Sequence, residues 1–291
     1  MNSLYRTMLF VPGNNPKKII SAEVYGADCI IYDLEDSVSV FEKDSARILV
    51  KYALRYNRPE CRIGIRINQS DTPYYKEDVE CMVPLKPDFL RLPKAECAED
   101  IINLDRLITK TEKEFDIPEG SVKIVASIEN ALGVMNSYKI ASASKRMLAI
   151  GLGAEDFRTD MGMQRSESAE EILFARNLIA LHAHAANIKA MDYVYSNFKN
   201  EEGFRADTLL GKKLGYTGKS VVHPSQVSIV HEIYTPSEEE IDNAKAIFVA
   251  YEDALKCGSG VTSLNGKMID KPMVTRAMAV LSSAKAAGME V

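Results

Sequence analysis

Short apolar segments alternate along the chain with longer stretches in which apolar residues recur at helical spacing. This alternation is typical of repeated strand–helix units that form a parallel sheet. One such stretch, residues 168–187, places Ile172, Ala175 and Ile179 on or near one helical face. The apolar segments predict eight strands, at residues 7–11, 29–32, 62–67, 89–92, 123–128, 147–150, 189–191 and 218–222.

The number of strands favours one fold class, an α/β (β/α)₈ TIM barrel. Eight strands in roughly 250 residues fit this closed barrel better than an open doubly wound sheet. The segment after the first strand, residues 11–15, also lacks the GxGxxG pattern of a dinucleotide-binding turn. We expect the barrel at residues 1–234 and a C-terminal helical extension at residues 235–291. Ser237 and Glu240 predict a capping box there, and the glycines near residue 258 make the extension a candidate lid.

Composition and charge narrow the function classes. The 291-residue chain has a formal net charge of -5, which disfavours a nucleic-acid surface built from excess lysine and arginine. It has no apolar run of about 18 residues, so we expect no membrane span. Its five cysteines form no CxxC pair, which argues against a disulfide framework or a structural zinc site. The first six residues lack the basic and apolar regions of a signal peptide. The scattered cysteines, without a disulfide framework, make a reducing cytoplasm the expected location.

Charged and titratable residues follow seven of the eight predicted strands. Active sites of (β/α)₈ barrels lie at these carboxyl ends, and stability alone gives no reason to gather carboxylates and cations there. Loops also begin at the same points, so each residue taken alone is equally consistent with a solvated loop or a salt bridge. The strand-end residues are Asp33, Glu35, Asp36, Arg66, Lys94, Glu129, Glu155, Asp156, Asp192 and His223.

Two of these carboxylates belong to neighbouring strands. Glu129 closes the fifth strand and Asp156 follows the sixth, so a barrel brings them close together. Like charges at short range are costly unless a cation or a shared proton intervenes. Hard oxygen ligands suit magnesium or manganese better than zinc, so a metal site is the favoured interpretation. An acid/base dyad and an arginine-bridged pair stay open, and Glu155 is the alternative second ligand.

Basic residues near the strand ends suit an anionic substrate. Arg66 ends the third strand, where its guanidinium suits a substrate carboxylate; the alternative is an ion pair with the acidic cluster after the second strand. Lys94 is the residue that a Schiff-base aldolase would use, although the paired carboxylates favour a charge-balancing role for it. His223 is interpreted as a hydrogen-bonded anchor rather than a base. Arg6 precedes the first strand, which places it near the bottom of the barrel if its role is structural.

Several short motifs, spread from Arg6 to the final helix, carry a further signal. They are Arg6-Thr7-Met8-Leu9-Phe10-Val11-Pro12-Gly13, Asp33-Leu34-Glu35-Asp36-Ser37-Val38, Arg66-Ile67-Asn68, Leu92-Pro93-Lys94, Ile128-Glu129, Gly153-Ala154-Glu155-Asp156-Phe157, Gly215-Tyr216-Thr217-Gly218-Lys219 and Val222-His223-Pro224. Together they resemble the citrate lyase β-subunit family, which belongs with malyl-CoA lyases in the HpcH/HpaI-type metal-dependent aldolases. The combination is specific to this superfamily, but lyases of malyl, citramalyl and citryl thioesters share most of its pieces.

The resemblance implies roles for individual residues. It implies that Glu129 and Asp156 hold Mg²⁺, with Mn²⁺ as the alternative, and that Arg66 binds the oxaloacetate-like half of the substrate. It further implies that Arg6 lies near the same anion, in conflict with its position before the first strand. Glu35 and Asp36 are implied to border the metal site and the substrate, and Asp270 is implied to be a catalytic lid residue from a neighbouring subunit. A homotrimer or a larger homo-oligomer follows from a lid that acts on a neighbour.

The expected reaction is the cleavage of citryl-CoA, or of citryl-acyl carrier protein, to oxaloacetate and an acetyl thioester, together with citrate lyase α and carrier subunits. The main alternatives are a malyl-CoA or citramalyl-CoA lyase and a related thioester hydrolase. A class II aldolase acting on a free pyruvate-derived substrate is less favoured, because the long tail that carries the lid suits a thioester. A carrier-binding scaffold with an inactive site is disfavoured because every ligand-type residue of the motifs is present.

Overall fold

The computed structural model describes residues 4–291 and confirms the closed barrel. Eight parallel strands pair in chain order, and the last strand closes against the first. The barrel strands are β1 Thr7–Pro12, β2 Cys29–Asp33, β3 Arg62–Arg66, β4 Phe89–Leu92, β5 Lys123–Ile128, β6 Met147–Leu152, β7 Lys189–Asp192 and β8 Gly218–Val221. A further antiparallel pair lies nearer the C-terminus, β9 Thr262–Leu264 and β10 Lys267–Ile269.

Helices follow the strands, as the helical spacing between the apolar segments predicts. They are α1 Pro16–Ser21, α2 Lys43–Tyr56, α3 Tyr74–Met82, α4 Ala98–Glu114, α5 Ala131–Ala141, α6 Ala154–Asp160, α7 Leu173–Ala185, α8 Glu201–Lys213, α9 Ser225–Tyr234, α10 Glu238–Lys256 and α11 Lys271–Ala286. None of the helices within residues 4–291 is both long and apolar enough to cross a membrane.

Apolar side chains fill the inside of the barrel. Phe89 and Met191 belong to this cluster, and neither is accessible to solvent. Gly64 on β3 leaves room for Phe89, since a Cβ at this position would lie 2.3 Å from the phenyl ring. The barrel is therefore a packed core that supports the residues at its carboxyl end. Other inward-facing members of the cluster are Met8, Cys29, Ile31, Val125 and Ala149.

Strand register places charged residues side by side at the carboxyl end of this core. Asp33 on β2 is the register partner of Arg66 on β3, and Arg66 is the partner of Arg91 on β4. Side chains alternate between the two faces of a strand, so residues two positions beyond the core residues again point inward. Asp33 lies two residues after the core residue Ile31, and Arg91 two residues after Phe89. The register therefore builds a polar layer on top of the apolar core.

Two helix starts are capped by side chains, and the second was predicted from the sequence. The Asn15 side chain accepts a hydrogen bond from the backbone N–H of Lys18, and Pro16 is the first residue of α1. Ser237 accepts a hydrogen bond from the Glu240 N–H, while the Glu240 carboxylate accepts one from the Ser237 N–H. Both caps satisfy backbone N–H groups that have no partner within the helix.

The chain divides into two compact units, one formed by Tyr5–Val230 and the other containing His231–Val291. The second unit holds α10, α11 and the β9–β10 hairpin, packed around Ile247, Ile269 and Val274. The sequence analysis did not predict this hairpin. Its turn, Asn265-Gly266, has φ values of 50° and 73°, a left-handed conformation that asparagine and glycine adopt at little cost.

Candidate active site

Glu129 and Asp156 meet at the carboxyl ends of β5 and β6. Glu129 is only 4% exposed, and its Oε2 atom is buried without a hydrogen-bond partner in the described chain. Burial, followed by the charge of Asp156, raises the pKa of Glu129 to about 7, although Arg66, Arg91 and Lys94 act in the opposite direction. The structure thus brings together the two carboxylates that the sequence singles out, and leaves one of their oxygen atoms unsatisfied.

Gly153 allows this carboxylate to lie against the loop between β6 and α6. A Cβ at residue 153 would lie 2.5 Å from Cγ and 3.0 Å from Oε1 of Glu129. The loop therefore forms one wall of the candidate metal site, and the next turn of chain carries Asp156.

The donor set fits a hard divalent cation. A buried carboxylate oxygen without a partner, next to a second carboxylate, is costly unless a cation compensates the charge. The described residues 4–291 contain no group of three or more His, Cys, Asp or Glu side chains arranged for a metal. Two carboxylates with the remaining positions open to water and substrate are typical of Mg²⁺. Glu155, the alternative ligand, is half-exposed and pairs instead with Arg158 at 3.0 Å and Arg165 at 3.2 Å.

Arg66 lies beside this pair and is held by the acidic cluster after β2. Its Nε and Nη2 atoms donate to the two oxygens of Asp33 at 2.7 and 2.8 Å, and Nη1 lies 3.0 Å from Glu35 and 3.4 Å from Asp36. Burial of Asp33 favours its neutral form, but these bonds outweigh it and lower the pKa of the carboxyl. The ion pair that the sequence left as an alternative therefore exists.

The same guanidinium also faces open space. A cavity of about 320 Å³ lies at the carboxyl ends of β1, β2, β3, β7 and β8. Arg66 is thus held rigidly on one side by Asp33 and is available on the other to a bound anion. The residues that line the cavity are Phe10, Pro12, Lys18, Asp33, Ser37, Arg66, Val194 and Val222.

Glu35 and Asp36 differ in their surroundings. The Glu35 side chain is buried, and burial raises its pKa to about 7, with Asp36 and Glu129 adding to the effect and Arg66 opposing it. Lys94 lies 3.6 Å from Glu35, which agrees with a charge-balancing role. The Asp36 side chain is half-exposed. Glu35 is therefore close enough to Glu129 for the two charges to interact, whereas about half of the Asp36 side chain is in solvent.

Arg91 is a site residue that the sequence analysis missed. It is 4% exposed and donates from Nε to the Ser127 hydroxyl at 2.7 Å and from Nη1 to the Ser220 hydroxyl at 3.3 Å. Burial, and then the neighbouring charge of Arg66, lower its pKa to about 10. A charged residue between two leucines in a four-residue strand was the available signal.

Comparison with known proteins identifies the family of this chain. The HpcH/HpaI aldolase/citrate lyase family model matches residues 6–224. The chain belongs to this family. The citrate lyase subunit beta of Leuconostoc mesenteroides is 49% identical over 97% of this chain and 94% of its own, and that of Haemophilus influenzae is 43% identical over 97% of both. A (3S)-malyl-CoA thioesterase of Cereibacter sphaeroides is 32% identical over 97% of this chain and 95% of its own.

A solved family structure is similar over nearly the whole chain. Protein CitE from Mycobacterium tuberculosis, solved in complex with magnesium, acetoacetate and coenzyme A, has a TM-score of 0.79 and 27% identity. The match covers 98% of this chain and 100% of that one. The family predicted from the motifs and the barrel predicted from the eight apolar segments are both confirmed.

The structure corrects the placement of Arg6 that the family resemblance implied. Arg6 precedes β1, and its Nε and Nη2 atoms pair with Asp28, the residue before β2, at 3.0 and 2.8 Å. Parallel strands begin at the same end of a barrel, so this pair lies at the end opposite to Glu129. Arg6 is a structural residue of the barrel bottom and not part of the substrate site.

Three further strand-end or lid residues have partners outside the metal pair. Asp192 lies in a buried network with Arg176 and Lys219, at 2.6 and 2.8 Å. The His223 ring lies 2.8 Å from the Ser225 hydroxyl, which agrees with the predicted anchor. Asp270 caps α11, since its Oδ1 accepts a hydrogen bond from the Met273 N–H at 3.2 Å.

Proposed function

We propose that this protein cleaves the carbon–carbon bond of a citryl thioester and releases oxaloacetate and an acetyl thioester. The observation that carries the proposal is the buried, unpartnered Oε2 of Glu129 beside Asp156, with Arg66 lining a cavity at the same end of the barrel. The identities of 49% and 43% to citrate lyase β subunits favour the citryl substrate over the malyl thioester, whose thioesterase is 32% identical.

The metal proposed for Glu129 and Asp156 is Mg²⁺, with Mn²⁺ as a substitute of similar oxygen preference. CitE, a family member of the same fold, was solved with magnesium. Bound there, the ion would act as Lewis acid and template for the hydroxy-acid end of the substrate.

The chain's own residues then orient the substrate and stabilise its charge. Arg66 is held by Asp33 and stays protonated, because these bonds and the nearby carboxylates raise its pKa despite its burial. Such a fixed cation stabilises negative charge on the oxaloacetate-like half without reorganisation during the reaction. The bond breaks as the substrate hydroxyl loses its proton and becomes the keto oxygen of oxaloacetate. This leaves an enolate of the acetyl thioester, whose carbon takes up one proton, so the reaction has no net proton change. We assign this proton to Asp270, delivered from a neighbouring subunit of a homotrimer or larger homo-oligomer.

The thioester carrier proposed is coenzyme A or an acyl carrier protein that works with citrate lyase α and carrier subunits. CitE was solved with coenzyme A, and the β subunits named above belong to citrate lyases. The second candidate function is thioester hydrolysis, which the 32% identical malyl-CoA thioesterase supports.

The test is the release of oxo acid from citryl-CoA, malyl-CoA and citramalyl-CoA, with Mg²⁺ and then with EDTA. We expect Mg²⁺-dependent oxaloacetate from citryl-CoA, and a loss of at least about 100-fold in Glu129→Ala and Asp156→Ala, because both would remove a metal ligand. Glu155→Ala is the matched control, since Glu155 is half-exposed and pairs with arginines.

Other results would revise the proposal in defined ways. Release of glyoxylate from malyl-CoA, or of pyruvate from citramalyl-CoA, would change the proposed substrate but leave the proposed metal ligands unchanged. Free coenzyme A without any oxo acid would establish hydrolysis. Turnover that is insensitive to EDTA would contradict the metal mechanism and favour Schiff-base chemistry at Lys94.

A further inference from the structure

Arg91 is a buried cation without a carboxylate partner. Its Nε and Nη1 donate only to the hydroxyls of Ser127 and Ser220, and within residues 4–291 no carboxylate lies in ion-pair distance and Nη2 has no acceptor. A buried charge that is not paired costs several kcal/mol or more, so such groups are rare unless something compensates them.

The other buried arginines of the described chain show how unusual this is. Each of them lies within 2.8 Å of a carboxylate oxygen. The pairs are Arg47 with Asp78, Arg146 with Glu112, Arg158 with Glu171 and Arg176 with Asp192. The fold therefore supplies a carboxylate wherever an arginine serves structure alone, and it supplies none to Arg91.

Arg91 also lies on the substrate side of the barrel core. It is the register partner of Arg66, and the two guanidinium carbons lie 5.0 and 5.1 Å from the ring centroid of Phe10. Phe10 and Arg66 both line the cavity of about 320 Å³. Asp33, Glu35 and Asp36 all pair with Arg66, and Glu129 acts on Arg91 through its charge without forming an ion pair in the described chain.

We propose that Arg91 binds a second carboxylate of the substrate and makes the site selective for a dicarboxylic 2-oxo acid. This inference rests on the proposed lyase function, in which Arg66 and the metal pair take the first carboxylate. The citryl thioester carries a CH₂COO⁻ arm where the citramalyl thioester carries a methyl group, and their products, oxaloacetate and pyruvate, differ in the same way. A buried guanidinium attracts the arm that carries a charge and leaves the methyl group without a favourable contact.

The experiment compares the binding of oxaloacetate and pyruvate to the Mg²⁺-loaded protein, by calorimetry or by inhibition of thioester cleavage. We expect the wild type to prefer oxaloacetate by about 100-fold, and Arg91→Met to reduce this preference to below about threefold while pyruvate affinity stays the same. Arg91→Lys keeps the charge with fewer donors, and we expect it to retain about tenfold preference.

Arg62→Met is the matched control. Arg62 begins β3, at the opposite end of the barrel, and is one-third exposed, so its replacement removes an arginine without touching the cavity. We expect it to keep the full preference for oxaloacetate. Circular dichroism and thermal unfolding of all variants check that the barrel is intact, and Arg91→Lys keeps the test informative where Arg91→Met does not fold.

The outcomes separate this inference from the proposed function. An equal affinity of the wild type for both oxo acids, or an unchanged preference in Arg91→Met, overturns the role of Arg91 even where citryl-CoA is cleaved. Failure of the wild type to cleave citryl-CoA overturns the proposed function, while the preference for oxaloacetate and its loss in Arg91→Met still decide the role of Arg91.

Discussion

Glu112 and Glu129 are both buried glutamates, yet their carboxylates lie in opposite electrostatic surroundings. Glu112 accepts hydrogen bonds from Arg146 at 2.6 and 3.0 Å and from the backbone N–H groups of Gly120 and Val122. Burial opposes its ionisation, but these bonds outweigh burial and lower its pKa. Glu129 has a buried oxygen without a partner in the described chain, and its pKa rises to about 7. Glu112 thus stabilises the fold, whereas Glu129 is the residue that we propose to bind a metal.

Replacing each of them by glutamine should therefore change stability in opposite directions. The raised pKa of Glu129 means that its contribution to stability is fully present below pH 4.5 and is lost as the pH rises through about 7. At pH 8 without metal, Glu129→Gln should raise the free energy of unfolding by about 1–3 kcal/mol, because it removes an uncompensated charge. Glu112→Gln should lower it by about 2–4 kcal/mol, because it breaks the pair with Arg146.

Urea unfolding in EDTA at pH 5 and pH 8 measures both effects. The gain in Glu129→Gln should shrink at pH 5, where the wild-type carboxyl is largely protonated. Added Mg²⁺ should stabilise the wild type and leave Glu129→Gln unchanged. A loss of stability in Glu129→Gln at pH 8 would show that the carboxylate has a partner after all.

Sequence reasoning selected some residues of the proposed site and missed others, for a physical reason. Glu129, Asp156 and Arg66 stand where strands end, so the general position of barrel sites was enough to select them. The resemblance implied that Arg6 lies near the substrate, but its position before β1 places it at the opposite end of the barrel. Arg91 lies inside a strand, and its role depends on which charges surround it across three neighbouring strands. That information exists only once the barrel has closed.

At the scale of elements, the loop between β6 and α6 makes room for the proposed metal ligand Glu129 because residue 153 has no side chain. Gly153 has an ordinary negative φ of -93°, so its backbone conformation is open to other residues. The constraint is the approach of Glu129, whose Cγ would lie 2.5 Å from a Cβ at residue 153. The glycine is therefore required for space rather than for backbone freedom.

Gly153→Ala should accordingly weaken metal binding. The added methyl group must displace the Glu129 side chain or the loop, a strain that typically costs about 1–3 kcal/mol. We expect this strain to lower the Mg²⁺ affinity by about tenfold or more. Calorimetric titration with Mg²⁺ measures it. Gly260→Ala is the control, because a Cβ there meets nothing within 4 Å. Equal Mg²⁺ affinity in the two variants would mean that Glu129 does not hold the ion.

The elements themselves were largely predictable because each is specified locally. All eight barrel strands lie within two residues of the apolar segments that predicted them, and the caps at Asn15 and Ser237 lie where the sequence signals them. The β9–β10 hairpin was missed because its strands have three residues each, too few to show an alternating pattern. Asn265-Gly266 was the only strong local signal for it.

At the scale of the whole molecule, the proposed catalytic groups are distributed over two units. Glu129 and Asp156 belong to the unit Tyr5–Val230, and Asp270 belongs to the unit that contains His231–Val291. A sequence can identify both sets, but it does not state whether the Asp270 that serves a site comes from the same chain or from a neighbour. The proposed homo-oligomer makes the second arrangement testable.

The substitution Asp270→Asn removes the proposed proton donor but keeps the side chain that caps α11. Asparagine caps a helix as well as aspartate does, so α11 keeps the hydrogen bond to the Met273 N–H. We expect kcat for citryl-CoA cleavage to fall by about 100-fold or more, with little change in KM or Mg²⁺ affinity, because only the proton donor is lost. Asp242→Asn, an exposed position on α10 in the same unit, should leave kcat unchanged.

Mixing two inactive variants then decides where Asp270 acts. Co-expressed Asp270→Asn and Glu129→Ala chains, purified through two different tags, form oligomers in which some sites combine an intact metal pair from one chain with an intact Asp270 from another. Activity should return in these mixed oligomers, because each chain supplies what its neighbour lacks. If Asp270 serves its own chain, every site keeps one defect and the mixture stays inactive. A loss of kcat in Asp270→Asn without recovery on mixing would therefore support Asp270 as the proton donor. It would contradict the delivery of Asp270 from a neighbouring subunit.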